Sequence, residues 1–162
     1  MNIRLVVLDV DGVLTDGSIQ LSDRGVETKT FSVRDGHGLR QLLRCGIEVA
    51  VISARHSPAT QLRLRELGVR HVYLACVDKK SAFDELLKNC AVDAAQVAYM
   101  GDDLPDLELM RLVALPCAPA DACAEVKAAA SWISSAAGGR GAVRELCEKI
   151  LKQQSLWNNS ES

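Results

Sequence analysis

Short apolar runs recur along the chain and predict strands that are buried on both faces. Polar residues follow the clearest runs closely, and the last two runs are weaker. The runs span Arg4–Leu8, Ile47–Ile52, Val72–Leu74, Gln96–Met100, Leu112–Leu115 and Trp132–Ile133. Continuous apolar strands of this kind are typical of parallel sheets that carry helices on both sides.

Segments with apolar residues at helical spacing lie between these runs. Gly38–Cys45, for example, places Leu39, Leu42 and Leu43 on one face and ends before Gly46. The other segments are Pro58–Leu67, Lys80–Cys90, Asp121–Ala130 and Ala142–Gln153. The alternation of strands and helices predicts an α/β fold, a doubly wound parallel sheet of the Rossmann-like kind.

A segment of about residues 17–34 interrupts this alternation. Two stretches of strand-like composition, Ser18–Leu21 and Glu27–Phe31, flank the turn-forming sequence Ser22–Gly25, which predicts an inserted β-hairpin. The apolar side chains of the hairpin are Ile19, Leu21, Val26 and Phe31. They favour an edge at which another subunit can dock.

Composition narrows the functional classes. Hydrophobic residues make up 48% of the chain, charged residues 25%, and the formal net charge is -2, so no basic surplus favours nucleic acid as a partner. No apolar run approaches the roughly 20 residues of a membrane helix, and we expect a cytoplasmic protein with no membrane partner. The length of 162 residues fits one domain, at 1–154, followed by a disordered tail at 155–162.

Polar residues collect where the predicted strands end. Asp9 and Asp11 follow the first run, Ser53 follows the second, Lys79 comes after the third, and Asp102 after the fourth. Because the carboxyl ends of parallel strands meet at one edge of a sheet, we expect these side chains to form one site.

The carboxylates of this set suit phosphoryl transfer. Asp9 and Asp11 are two residues apart, so that one can attack phosphorus while the other handles the proton of the leaving oxygen and of water. Asp102, Asp103 and Asp106 add further negative charge, which requires a cation in a shared cleft. Ligation by oxygen alone favours Mg²⁺ over zinc.

Ser53 and Lys79 can stabilise the charge on a transferring phosphoryl group. Each residue also has a simpler interpretation when it is taken alone. Ser53 could cap the next helix, Lys79 could be solvated, and Asp103 and Asp106 could cap a following helix. Their positions at successive strand ends favour the functional interpretation.

The order of these motifs resembles that of the haloacid dehalogenase-like phosphatases. The sequence has D-V-D-G-V at 9–13, a hydroxyl at Ser53, then Lys79, and G-D-D-L-P-D at 101–106. The resemblance implies that Asp9 is a nucleophile that becomes an aspartyl-phosphate.

The resemblance also implies roles for the other motif residues. Asp11 is then the general acid and base, and its backbone carbonyl joins Asp9 and Asp102 as a ligand of Mg²⁺. Ser53 and Lys79 hold the phosphoryl group. Asp103 and Asp106 support the residues of the site.

A closer resemblance, over nearly the whole chain, is to the 3-deoxy-D-manno-octulosonate 8-phosphate phosphatases, which serve lipopolysaccharide biosynthesis. It is carried by the hairpin and by the motifs at 7–17, 31–38, 53–55 and 137–145. Ser53 and Ala54 stand where Thr-Gly is commoner in that family. The residues that it implies for substrate binding are Asp11, Ser32, Val33, Arg34, Asp35, Gly36, Arg55, Arg63 and Lys79.

The spacing of the motifs leaves no room for a cap domain. Only a hairpin and one helix fit between Asp9 and Ser53, and only a helix and a strand fit between Ser53 and Lys79. The resemblance implies a homotetramer built through the hairpins, with Gly139 and Arg140 reaching toward a neighbouring site. A plain loop before the last helix is the alternative for this glycine-rich segment.

Two other functions compete with this one. Phosphatases of sialic-acid-type nonulosonate 9-phosphates share much of the pattern, so the sugar is less determined than the reaction. A phosphorylation-dependent switch similar to a receiver domain would also use acidic residues, a hydroxyl, a lysine and Mg²⁺. A receiver, however, carries its phosphorylated aspartate after the third strand, whereas this chain has its D-x-D motif after the first.

Overall fold

The apolar runs form the strands of a parallel sheet. The structure, a computed structural model, describes residues 2–157. The strands in this range are β1 (Leu5–Leu8), β2 (Gln20–Leu21), β3 (Glu27–Thr28), β4 (Glu48–Ile52), β5 (His71–Tyr73), β6 (Val97–Met100), β7 (Leu115–Ala118) and β8 (Trp132–Ile133). The helices in the same range are α1 (Val33–Arg44), α2 (Pro58–Leu67), α3 (Lys79–Cys90), α4 (Leu107–Met110), α5 (Ala124–Ala129) and α6 (Ala142–Gln153).

The main sheet of the described chain has six strands in the order β5-β4-β1-β6-β7-β8. All neighbouring strands in it run parallel. Leu8, at the end of β1, lies beside Val51 of β4 on one side and Met100 of β6 on the other. The carboxyl ends of these three strands therefore meet at one edge, and the predicted doubly wound α/β fold is confirmed.

Alternate residues of β1 reach opposite faces of the sheet. Val6 and Leu8 belong to a core shared with α1, α2 and α6, whereas Leu5 and Val7 belong to a core shared with α3, α4 and α5. All four side chains are fully buried, and burial of a large aliphatic side chain contributes roughly 1.5–3 kcal/mol. The two-sided burial explains why the strand has no polar position.

Strands β2 and β3 form the predicted hairpin as an antiparallel pair. Ile19, Leu21 and Val26 are exposed on it, as expected for a docking edge. Phe31 differs from the prediction, because it lies partly buried against the core shared with α1.

Helix α1 begins at Val33 and not at the predicted Gly38, so the hairpin segment is shorter than predicted. Ser32 caps the helix by accepting a hydrogen bond from the Asp35 N–H at 3.3 Å. Two glycines in the first turns weaken the helical pattern in the sequence, which explains the late predicted start.

Two elements in the last third of the chain also differ from the prediction. Strand β7 is Leu115–Ala118, not Leu112–Leu115, and it contains Pro116. A proline has no N–H to donate to a neighbouring strand, so its presence argued against a strand at this position. Helix α5 begins at Ala124 and not at Asp121, after a turn in which the Cys123 N–H bonds to the Asp102 carbonyl.

Part of the predicted disordered tail is packed on the domain. The Leu156 N–H donates to the Leu151 carbonyl at 2.8 Å. Leu156 and Trp157 are two large apolar side chains just after α6, and both pack against the core that is shared with α1, α2 and α6. Residues 155–157 of the predicted tail are thus next to the domain, and the other residues of that prediction, 158–162, lie outside the described residues.

Neither of the two possible insertion points holds a cap domain in the described chain. Only the hairpin and α1 lie between β1 and β4, and only α2 and β5 lie between β4 and α3. The prediction of an uncapped fold is confirmed. None of the helices formed by residues 2–157 has the length and apolar composition needed to cross a membrane.

Candidate active site

Asp9 follows β1 directly and lies at the base of a cleft. Its residue is 8% exposed. The chain then turns at Gly12, whose φ of +88° favours glycine. A side chain at Gly12 would also place a Cβ 2.0 Å from Asp102 Oδ2. This glycine therefore allows the loop after β1 to approach the loop after β6.

The cleft has a volume of about 310 Å³ and opens at the carboxyl ends of the strands. The predicted site residues that line it are Asp9, Asp11, Ser53, Arg55, Lys79, Asp102, Asp103 and Asp106. The structure thus brings together the motif residues that the sequence places at four successive strand ends.

Lys79 is the buried cation of the cleft and opens helix α3. Its Nζ lies 2.9 Å from Asp9 Oδ1 and 2.7 Å from Asp106 Oδ1. Burial opposes its charge, but the two carboxylates raise the pKa of Lys79 above its ordinary value. Its side chain is only 9% exposed, so the alternative of a solvated lysine is wrong.

Ser53 follows β4 and is buried in the cleft. It does not cap helix α2, because that cap is Ser57, whose Oγ accepts from the Thr60 N–H at 3.3 Å. The simpler interpretation of Ser53 is therefore wrong, and its hydroxyl lies where an anion in the cleft can reach it.

Asp106 organises the loop after β6. Its Oδ1 accepts from Lys79 and from the Tyr99 hydroxyl at 2.7 Å, and its Oδ2 accepts from the backbone N–H groups of Asp102 at 3.0 Å and Asp103 at 3.3 Å. Asp103 caps the short 3₁₀ turn Leu104–Asp106, as its simpler interpretation predicted. Both oxygens of Asp106 have donors, which suits the predicted supporting role better than direct metal ligation.

The carboxylates of the cleft fit a divalent cation. Oxygens of Asp9, Asp102 and Asp106 lie within 4.8 Å of one another. Burial and the charge of Asp106 raise the pKa of Asp9 to about 6, against the lowering effect of Lys79. Burial, together with Asp9 and Asp106, raises the pKa of Asp102 to about 7. A cation held by Asp9 and Asp102 would remove this repulsion.

Asp11 is surrounded by charged residues, and two of them, Glu27 and Lys29, were not marked by the sequence motifs. Its Oδ1 accepts a hydrogen bond from Lys29 Nζ, and its Oδ2 lies 3.7 Å from Arg55 Nε. Glu27 in turn binds Arg55, with 2.5 Å between Oε2 and Nη2. Glu27 and Lys29 are two residues apart in the hairpin, so their side chains lie on one face of it. This spacing of opposite charges is the signal that the sequence offers for them.

Several predicted substrate-binding residues lie outside the cleft of their own chain. Ser32 caps α1, and Val33 and Arg34 are exposed. Asp35 accepts from the backbone N–H groups of Gly141 at 3.4 Å and Arg144 at 2.8 Å. Asp35 therefore anchors the start of α6 and does not line the cleft that holds Asp9, and its contact with the substrate stays a prediction.

Gly36 and Arg63 meet at a small neighbouring cavity with Asp35. A Cβ at Gly36 would lie 2.4 Å from Arg63 Nη2, so the two residues are in close contact. They do not line the cleft that holds Asp9.

The glycine-rich segment packs on the loop after β1 of the same chain. The Gly139 N–H donates to the Val13 carbonyl at 2.9 Å. Arg140 Nη2 lies 3.7 Å from Asp16 Oδ2, and its side chain is 72% exposed. Gly139 is thus an intrachain contact, while the exposed Arg140 guanidinium leaves the predicted contribution to a neighbouring site open.

The uncapped doubly wound fold, with an aspartate pair after β1, a buried lysine at the start of α3 and acidic residues after β6, defines a hydrolase of the haloacid dehalogenase type. Residues 72–146 match the family model of the haloacid dehalogenase-like hydrolases.

Similar proteins narrow this class to phosphatases. The chain is 46% identical over 153 residues to the 3-deoxy-D-manno-octulosonate 8-phosphate phosphatase KdsC of Escherichia coli K12. The aligned region covers 94% of this chain and 81% of that protein. It therefore belongs to the KdsC family of haloacid dehalogenase-like phosphatases and is a phosphoric monoester hydrolase. The predicted family and enzyme class are confirmed.

Two solved structures share the fold throughout. The first is the phosphatase of this name from Moraxella catarrhalis in complex with magnesium, phosphate and KDO, with a TM-score of 0.94, 40% identity, and coverage of 97% of this chain and 90% of that one. The second is the cobalt-bound deoxy-D-mannose-octulosonate 8-phosphate phosphatase from Haemophilus influenzae, with a TM-score of 0.92, 42% identity, and coverage of 95% and 90%.

Proposed function

We propose that this enzyme hydrolyses 3-deoxy-D-manno-octulosonate 8-phosphate to the free sugar acid and inorganic phosphate, with Mg²⁺ as cofactor and Asp9 as nucleophile. The observation that carries the proposal is the setting of Asp9, which is buried in an acidic cleft with Lys79 Nζ 2.9 Å from its Oδ1. The names of the relatives and the complex from Moraxella catarrhalis support the sugar.

In the first step an Asp9 carboxylate oxygen attacks the phosphorus. The bond between Asp9 and phosphorus forms, and the bond from phosphorus to the sugar oxygen breaks. Asp11 gives its proton to the departing oxygen. Lys79 and the hydroxyl of Ser53 stabilise the negative charge on the phosphoryl oxygens.

In the second step a water molecule attacks the phosphorus of the aspartyl-phosphate. Asp11 now accepts the proton of the water, and the bond from phosphorus to Asp9 breaks to release phosphate. Mg²⁺, when it is held by Asp9 and Asp102 with the Asp11 carbonyl, supplies positive charge for the phosphate oxygens. The fit of the buried carboxylates, and the magnesium and cobalt complexes of the relatives, support this cofactor.

Arg55 is the residue that we assign to the sugar carboxylate. It lines the cleft and its side chain is 46% exposed, so that a substrate can reach it. Its guanidinium already binds the carboxylate of Glu27, and arginine is well suited to a two-point grip on a carboxylate.

The predicted contacts that are exposed outside the cleft would need a second subunit. They are Ser32, Val33, Arg34, Arg63 and Arg140, which are partly or fully exposed away from the Asp9 cleft of their own chain. Asp35 and Gly36 are buried within their own chain, so a direct contact of theirs with the substrate stays a prediction. We propose that a homotetramer supplies the exposed contacts, and that the enzyme acts in the cytoplasm in lipopolysaccharide biosynthesis.

The experiment that tests the function is phosphate release from a panel of esters with Mg²⁺ and with EDTA. The panel holds the eight-carbon sugar acid 8-phosphate, a sialic-acid-type nine-carbon 9-phosphate and p-nitrophenyl phosphate. We expect the highest kcat/KM on the eight-carbon substrate and no turnover in EDTA until Mg²⁺ is restored. A higher kcat/KM on the nine-carbon substrate, or full activity in EDTA, would contradict the proposal.

A further inference from the structure

Lys29 is a buried lysine on an otherwise exposed hairpin. Its side chain is 1% exposed, and its Nζ bonds to Asp11 Oδ1 and lies 3.1 Å from Glu27 Oε1. An ammonium group that leaves water needs charged partners, because the loss of hydration is otherwise too costly. The burial of Lys29 therefore depends on its ion pairs with Asp11 and Glu27.

These side chains close a ring of alternating charge. Asp11 contacts Lys29 and Arg55, and Glu27 contacts the same two cations from the other side. Asp11 comes from the loop after β1 and Arg55 from the loop after β4, while Lys29 and Glu27 come from the hairpin. The ring thus joins the hairpin to two loops of the cleft.

Lys29 makes the closest contact that the Asp11 carboxylate has in this ring. The contact of Asp11 with Arg55 is 3.7 Å, too long for a hydrogen bond. Asp11 lines the cleft, whereas Lys29 is not among the residues that line it. Lys29 can therefore act on the reaction through the orientation of Asp11.

We propose that Lys29, held in turn by Glu27, is a positioning residue that aims the Asp11 carboxyl at the leaving oxygen. The inference rests on the proposed role of Asp11 as the general acid. It assigns the hairpin a function inside its own chain, in addition to any contact with another subunit.

The leaving group gives a way to test this role. A sugar alkoxide is a poor leaving group and needs the proton of Asp11, whereas p-nitrophenolate leaves without one. The value of kcat/KM covers the steps up to departure of the leaving group. It therefore omits the later hydrolysis of the aspartyl-phosphate, in which Asp11 serves both substrates alike.

The experiment compares kcat/KM of Lys29→Met, Lys29→Arg and wild type on the sugar acid phosphate and on p-nitrophenyl phosphate. We expect Lys29→Met to lose on the order of 10–100-fold on the sugar phosphate and much less on the aryl phosphate. Lys29→Arg should recover part of the loss, because it restores a donor to Asp11. Lys80→Met is the matched control, since Lys80 pairs with Asp84 on the surface of α3.

Equal losses on both substrates would overturn the inference and leave Lys29 as a residue that only docks the hairpin. If Lys29→Met does not fold, Glu27→Gln gives the same comparison, with a smaller but still selective loss expected. Asp11→Asn separates the role of Lys29 from the role of Asp11 as the general acid. A selective loss for Asp11→Asn without one for Lys29→Met refutes the inference alone, whereas no selective loss for Asp11→Asn refutes the proposed acid as well.

Discussion

Asp102 shows what the crowding of carboxylates does to a single residue. Burial, with Asp9 and Asp106, raises its pKa from 3.8 to about 7. The folded chain therefore holds a proton that the unfolded chain has lost. The stability that this carboxyl contributes is present below pH 3.8 and is lost as the pH rises through about 7.

Asp102→Asn should therefore stabilise the metal-free protein at pH 8 but not near pH 4. We expect its thermal midpoint in EDTA to exceed that of wild type by a few degrees at pH 8, where 1 kcal/mol corresponds to roughly 2–4 °C for a chain of this size. Asp84→Asn, on the surface of α3, is the control for the change in net charge. A wild type that is as stable as Asp102→Asn at pH 8 would show that the carboxylates are not in conflict.

The sequence was sufficient to predict the residues of the cleft that follow strands of the main sheet. Asp9, Ser53, Lys79 and Asp102 each come directly after, or shortly after, an apolar run, so the topology of a parallel sheet brings them together. Lys29 could not be predicted in this way. Its contact with Asp11 depends on where tertiary packing places the hairpin, and the local pattern of charges on the hairpin does not give that position.

The start of α6 shows how one element can depend on another. Its N-cap is Gly141, which has no side chain to accept a hydrogen bond, and Asp35 of α1 accepts from Gly141 and Arg144 instead. An interhelical cap of this kind satisfies backbone donors that the helix itself leaves free.

We expect Asp35→Ala to lower the free energy of unfolding by about 1–3 kcal/mol, because it leaves the partly buried N–H groups of Gly141 and Arg144 without their acceptor. Asp35→Asn should lose less, since its amide oxygen can still accept. Chemical denaturation measures both, with Asp23→Ala in the exposed hairpin turn as control. If Asp35→Ala is as stable as Asp23→Ala, Asp35 is not the anchor of α6.

Element boundaries were predictable where composition and packing agree. Helices α2 and α6 have the predicted bounds, because an N-terminal proline or a regular apolar face marks them. The start of α1 and the position of β7 could not be predicted. Glycines disfavour a helix at the start of α1, and Pro116 disfavours a strand at β7, so that tertiary packing decides both.

At the scale of the whole molecule, the cleft that holds Asp9 is open to solvent. No cap domain covers it among residues 2–157, and the predicted sugar contacts at Ser32 to Gly36 lie elsewhere on the chain. The exposed apolar side chains of the hairpin, Ile19, Leu21 and Val26, offer a surface for assembly.

We expect the wild type to sediment at four times the 17.5 kDa of the chain. Leu21→Asp should produce smaller species, because it places a charge in the proposed contact, and it should lose activity on the sugar phosphate. Leu112→Asp, at an exposed position away from the hairpin, is the control. A wild type that sediments as a monomer at micromolar concentration would rule out the tetramer.

The role of Asp9 as nucleophile is tested by phosphate release from the eight-carbon sugar acid phosphate with Mg²⁺, measured for Asp9→Asn and wild type side by side. Asn has nearly the shape of Asp, so we expect the fold to be kept, which a thermal melt can verify. Its amide is a far weaker nucleophile toward phosphorus than a carboxylate. We predict that Asp9→Asn loses at least about 10³-fold in turnover. Full turnover by the pure variant would rule out Asp9 as the nucleophile.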